Sequence, residues 1–82
     1  MPDANPTTVI VECIERSKTT DDQELIADYI SEALGLLQID NTEEDAFHML
    51  GSAIADAAAD DEAHTSGLLE VWSEIEEQRK LG

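Results

Sequence analysis

Two carboxylate-x-x-histidine pairs, Asp45 with His48 and Asp61 with His64, come nearest to metal chemistry in this chain. Helical di-metal bundles use that spacing because side chains three residues apart share a helix face and can reach one ion. On one continuous helix the two pairs would stand 16 residues apart, about 24 Å along the axis and roughly 160° around it. They could share a metal only if the chain folded back near Asp60. Glu44 and His48, four residues apart, could hold a single ion weakly, so the histidines read as surface or cap residues and no metal is expected.

The other acids do not make a calcium loop, which needs oxygen ligands at alternating positions and a central glycine. Neither Asp40-Asn41-Thr42-Glu43-Glu44-Asp45 nor the stretch from Asp56 to Glu62 supplies them. Cys13, the only cysteine, follows Glu12 on an apolar stretch. Negative surroundings raise a thiol pKa and suppress reactivity, so it reads as a core residue. A lone cysteine also excludes an internal disulfide and a CxxC site, and it fits a reducing compartment. The chain has no Gly-rich phosphate loop. Hydrolysis by paired carboxylates would need a concave pocket that so short a chain rarely encloses. The expectation is a protein without catalysis, metal or cofactor.

Four helical segments would position these residues, at about 6–17, 21–37, 42–59 and 66–80. Asn5-Pro6 reads as an N-cap followed by proline at the first helical position. Val9, Ile10, Cys13 and Ile14 then recur on one helix face, although the β-branched run Thr7 to Val11 makes a short strand the alternative for this segment. Thr20-Asp21-Asp22-Gln23 fits a capping box. After it, Leu25, Ile26, Tyr29, Ile30, Ala33, Leu36 and Leu37 fall within roughly 140° of the helical wheel. Asn41 or Thr42 caps the third helix, whose stripe is Phe47, Leu50, Ile54, Ala57 and Ala58. Continuing that wheel would put Asp61 in the middle of the stripe, a poor place for an unpaired carboxylate, so the helix should stop near Ala59 or Asp60. Asp60 to Gly67 reads as a connection, with Thr65 or Ser66 capping a last helix whose apolar face is Leu68, Val71, Trp72 and Ile75. The fold class is therefore all-α, a small bundle of three or four helices in one domain spanning 1–82.

Charge is the strongest signal. Twenty of 82 residues are Asp or Glu and four are Lys or Arg, a formal charge of −16. By the usual scaling a 9.0 kDa chain exposes roughly 4,900 Å², or one net negative charge per ~300 Å². Duplex DNA carries one per ~1.7 Å of axis, roughly one per 110 Å² of its surface. The acids narrow that gap by forming ladders opposite the apolar stripes: Asp21, Glu24, Asp28 and Glu32 on the second helix, and Glu70, Glu74 and Glu77 on the fourth. Two such ladders side by side would give one charge per ~2.8 Å of axis.

These features exclude direct binding of nucleic acid or an anionic membrane, both of which the charge would repel. The first residues, MPDANPTT, have neither a basic n-region nor an apolar h-region, so a soluble, cytoplasmic protein is expected. The sequence points to a small acidic module that occupies a basic surface of a larger protein. The most concrete version is an inhibitor of a nucleic-acid-binding protein, a mimic of DNA or RNA such as phage-encoded antagonists of host defence, acting then in the host cytoplasm. The seven ladder acids would steer association and pair with lysines and arginines. Leu69, about 100° off the apolar stripe, and Trp72 are candidate apolar partner contacts. The alternative is a helical homodimer, a structural or chaperone-like adaptor built on Leu69, Trp72 and Ile75, whose acids serve solubility or salt adaptation. Ile outnumbers Val seven to three and Glu outnumbers Asp eleven to nine, which speaks mildly against adaptation to molar salt.

Overall fold

The computed structural model describes residues 5–81 and contains four helices: α1 (Pro6–Lys18), α2 (Gln23–Leu37), α3 (Glu43–Asp60) and α4 (Glu62–Leu81). Met1 to Ala4, part of the start read above for targeting signals, lie outside the described residues. The expected all-α bundle forms in its four-helix version. The β-branched run lies within α1, and no strand occurs among the described residues. Capping and burial outweigh β-propensity there: Asn5 Oδ1 accepts the Thr7 N–H at 2.9 Å, Pro6 opens the first turn, and Cys13, Ile14 and Ser17 are buried.

Two helix starts differ from the sequence reading. α2 begins at Gln23, and its cap is Asp22, whose carboxylate accepts the Glu24 N–H at 2.9 Å. Thr20 Oγ1 accepts the Asp22 N–H instead, and Gln23 reaches across to another helix, so the capping box does not form. The larger correction concerns residues 60–67, expected as a connection. Only Asp61 interrupts the helices, and Thr65, expected as a cap, is buried inside α4 with its hydroxyl donating to the Asp61 carbonyl at 2.7 Å. The acids of this stretch suit the first turn of a helix as well as they suit a loop. Thr42 caps α3 as expected, accepting the Asp45 N–H at 3.1 Å, while Asn41 donates to the Leu37 carbonyl at the end of α2.

The core is built from the centre of each stripe: Ile26, Ile30, Ala33 and Leu37 of α2, Ala46, Leu50 and Ile54 of α3, and Leu68, Val71 and Trp72 of α4. Full burial of the Val, Leu and Ile side chains among them is worth about 1.5–3 kcal/mol each. The stripe edges stay outside, with Leu25 and Leu36 exposed and Tyr29, Phe47 and Ala58 half-buried, because each helix covers only part of its neighbour's apolar face. α3 and α4 run antiparallel, joined by a tilted Phe47–Trp72 ring contact at 4.8 Å and an Arg79–Glu43 ion pair at 3.6 Å. Gly51 permits this closeness: a Cβ there would meet the Trp72 ring at 3.1 Å. Gly67 does the same between α4 and α2, where a Cβ would stand 3.2 Å from Ile26. No helix among the described residues is long and apolar enough to cross a membrane.

Candidate protein-binding surface

Eighteen of the nineteen described acids are exposed, and Asp61 alone is half-buried. The accessible surface of 5506 Å² spreads 16 net charges at one per roughly 340 Å², about a third of the DNA value. Arrangement therefore matters more than the total.

The four cations stand at the two ends of the chain. Arg16 lies 4.0 Å from Glu12, and Lys18 lies 3.4 Å from Glu15 and 4.0 Å from Asp61. Arg79 pairs with Glu43 and sits 4.2 Å over the Phe47 ring, and Lys80 shares the adjoining groove with Glu43, Glu44 and Glu76. Between them, from Thr19 to Gln78, the chain has seventeen acids and not one Lys or Arg. The sequence reading counted cations without marking where they fall, and that spacing was the signal available to it.

The α2 and α4 ladders meet at one seam only. Gln23 Nε2 donates to Glu70 Oε2 at 3.2 Å, tying the start of α2 to α4. Gln23 meets Glu70 and Ile26 meets Gly67, so the two helices run antiparallel; Glu24 and Glu70 stand beside the seam, and Glu74 lies one turn further along α4, past the start of α2. Asp28 and Glu77 point outward on the two helices. Glu32 belongs elsewhere: it lines the α1/α2 groove with Glu12 and Arg16, over a floor of Cys13, Tyr29 and Ala33. Asp21 precedes α2 and is not a rung of its ladder. The exposed ladder acids are thus Glu24 and Asp28 on α2 and Glu70, Glu74 and Glu77 on α4, which meet at Glu24 and Glu70 and diverge from there, with Asp21 just before α2.

The apolar candidates stand apart from it. Trp72 is 6 % exposed, held between Phe47 and Gly51, and only its edge reaches the α3/α4 groove that half-buried Leu69, His48 and Ser52 also line. The larger exposed apolar side chains are Val11, Leu25, Leu36, Ile39 and Leu81.

Titration marks two further groups. Burial pushes the Cys13 thiol up to about 11, with the Ser17 hydrogen bond acting weakly against it, which keeps the thiol protonated and inert at neutral pH. The Asp61 carboxyl is held below the usual carboxylate range, chiefly by His64, whose Nδ1 lies 2.9 and 3.0 Å from its two oxygens. That pair is a helix-junction contact. No group of three or more His, Cys, Asp or Glu side chains comes together at metal-holding geometry among the described residues. Compared with protein families, curated proteins and solved structures, the chain finds no match.

Proposed function

We propose that this chain is a small acidic protein-binding module that occupies a basic, nucleic-acid-binding surface of a larger protein and inhibits it by presenting charge where the nucleic acid would lie. The observation that carries the reading is the run of seventeen acids without one Lys or Arg, among which Glu24 and Asp28 of α2 and Glu70, Glu74 and Glu77 of α4 are all exposed. An ordinary solvated surface intersperses both signs. Like charges one turn apart destabilise a helix by a few tenths of a kcal/mol per pair, so acids kept there with no lysine or arginine beside them in sequence are suited to cations from outside. Along each helix the carboxylates recur every ~5–6 Å, close to the 3.4 Å phosphate rise of a single DNA strand within a factor of two. Antagonists of host nucleases carried by phage are the functional class this most resembles in charge and size.

Of the three side chains on which the homodimer alternative is built, Trp72 packs against Phe47 and Gly51 of its own chain, while Leu69 and Ile75 are half-buried. The test is capture from a lysate on the immobilised protein at 50 mM salt, with a salt-gradient elution and identification by mass spectrometry. Basic nucleic-acid-binding proteins that duplex DNA displaces from the resin are the expected result. Partners that are not basic, or that duplex DNA leaves in place, would overturn the reading.

A further inference from the structure

Between Glu43 and Leu81 only Asp61 departs from helix, at φ −143° and ψ 75°, a non-helical conformation with negative φ. No glycine or proline stands from Ala57 to Ser66, so backbone sterics do not force a break. The apolar register runs straight across it. Phe47, Ile54, Leu68 and Ile75 recur at intervals of seven with Asp61 at the central seventh position, and Leu50, Ala57 and Val71 form the companion row with His64. Such a row is what a single long helix presents to a partner.

Side chains make the break. The Asp61 carboxylate takes the His64 ring at 2.9 Å and backbone N–H at 3.4 Å, lies 4.0 Å from Lys18 of α1, and so ties the first turn of α4 to the junction. In a continuous helix it would lose the backbone partner and stand between Ile54 and Leu68 in the apolar row. We propose that Asp61 is a hinge whose carboxylate holds α3 and α4 folded back on each other, and that when it straightens the two helices fuse and two copies of the chain exchange α4. Every contact of α4 can then re-form between copies: Trp72 on Phe47 and Gly51, Arg79 on Glu43, Glu70 on Gln23. The antiparallel pairing of α3 with α4 is centred on residue 61, so the two hinges of such a dimer meet at its two-fold axis. Two Asp61 carboxylates facing each other there oppose the exchange, and the native chain stays closed. The inference concerns the hinge alone and is independent of the function proposed above.

Light scattering on the full chain tests it. The native protein should run at its monomer mass of 9.0 kDa, whereas Asp61→Ala should run at twice that mass with its helix content retained. Adding Glu62→Pro, which suits the first position of α4 but not the interior of a fused helix, should return Asp61→Ala to the monomer. Spin labels at Ser52 and Ser73, which line the same α3/α4 groove, give the second readout in a Cys13→Ala background diluted with unlabelled chain. In Asp61→Ala the labels should separate to about 32 Å, the span of a single helix across those positions. An Asp61→Ala chain that is monomeric, that unfolds, or that keeps the labels close would overturn the proposal, as would a dimer that Glu62→Pro leaves intact.

Discussion

The two ends of the chain and its middle handle the same excess of acid in opposite ways. At the ends, Arg16, Lys18 and Arg79 each stand within 4.0 Å of a carboxylate, and Arg79 also covers the Phe47 ring. In the middle, from Thr19 to Gln78, the chain supplies no Lys or Arg to its seventeen acids, and only Glu43 and Asp61 reach a cation from the ends, Arg79 and Lys18. Both regions rest on one core, so burial alone does not explain the difference. The ends use exposed ion pairs that contribute about 0.2–1 kcal/mol at most, whereas the middle accepts repulsion that salt or an external cation must relieve. The lesson is that a net charge says less about function than where the few opposing charges fall.

The contrast can be broken most forcibly at Trp72, which belongs to the core on which both regions rest. Truncation of so large a buried ring costs about 3–5 kcal/mol, against a total of roughly 4–12 kcal/mol for a domain of this length. Trp72→Ala should therefore unfold or nearly unfold the chain, seen as loss of the cooperative thermal transition. A stable Trp72→Ala monomer derived from a native dimer would favour the homodimer reading. Next in size is charge reversal in the middle. Changing Glu24, Asp28, Glu70 and Glu74 to lysine should slow association with a basic partner by about 10- to 1,000-fold while leaving thermal stability equal or higher. Reversing Glu12 and Glu15 at the chain's start should instead weaken the fold slightly and leave association nearly unchanged.

Two glycines give a smaller, opposite-signed pair. Gly35 lies inside α2 with nothing within 4 Å of an added Cβ, so Gly35→Ala should stabilise by about 0.5–1 kcal/mol in chemical denaturation. Gly51→Ala drives a methyl to 3.1 Å from the enclosed Trp72 ring and should destabilise, by about 1–3 kcal/mol less the helix-propensity gain. The smallest effect on stability is the pH dependence that Asp61 contributes within the monomer. Its folded pKa lies below the unfolded value, so its contribution is complete above about pH 4 and is lost as the pH falls through the lowered value. Asp61→Asn should be less stable than the native chain at neutral pH, and the difference should vanish as the pH falls through the lowered value, read from chemical denaturation across the acid limb.

Much of the fold was legible because caps and periodicity agreed. Asn5-Pro6 and Thr42 start their helices, and Ile26, Ile30, Leu50, Ile54, Leu68 and Val71 lie on the faces the wheels assign to the core. The junction was misread as a loop because Asp, Glu, Thr and Ser favour helix starts and loops alike, and the tertiary burial of Thr65 chooses between them. Thr20 lost its capping role because Asp22 offers a carboxylate two residues closer to the first turn. Of the acidic face, the wheel could assign each rung to the outside of its own helix. It could not say that Gln23 brings Glu70 to the start of α2, or that Glu32 turns toward Arg16, since both depend on which helix lies next to which. The cation-free span needed no structure at all.

The central claim is that the middle face binds by charge, and the salt dependence of affinity tests it most directly. Binding of the captured basic partner should be measured by titration calorimetry between 50 and 500 mM salt, for the native chain and for the variant with Glu24, Asp28, Glu70 and Glu74 changed to lysine. The account predicts a steep loss of affinity with salt for the native chain and a much flatter, weaker response for the variant. Equal affinity at both salt concentrations, or equal slopes for the two proteins, would contradict it.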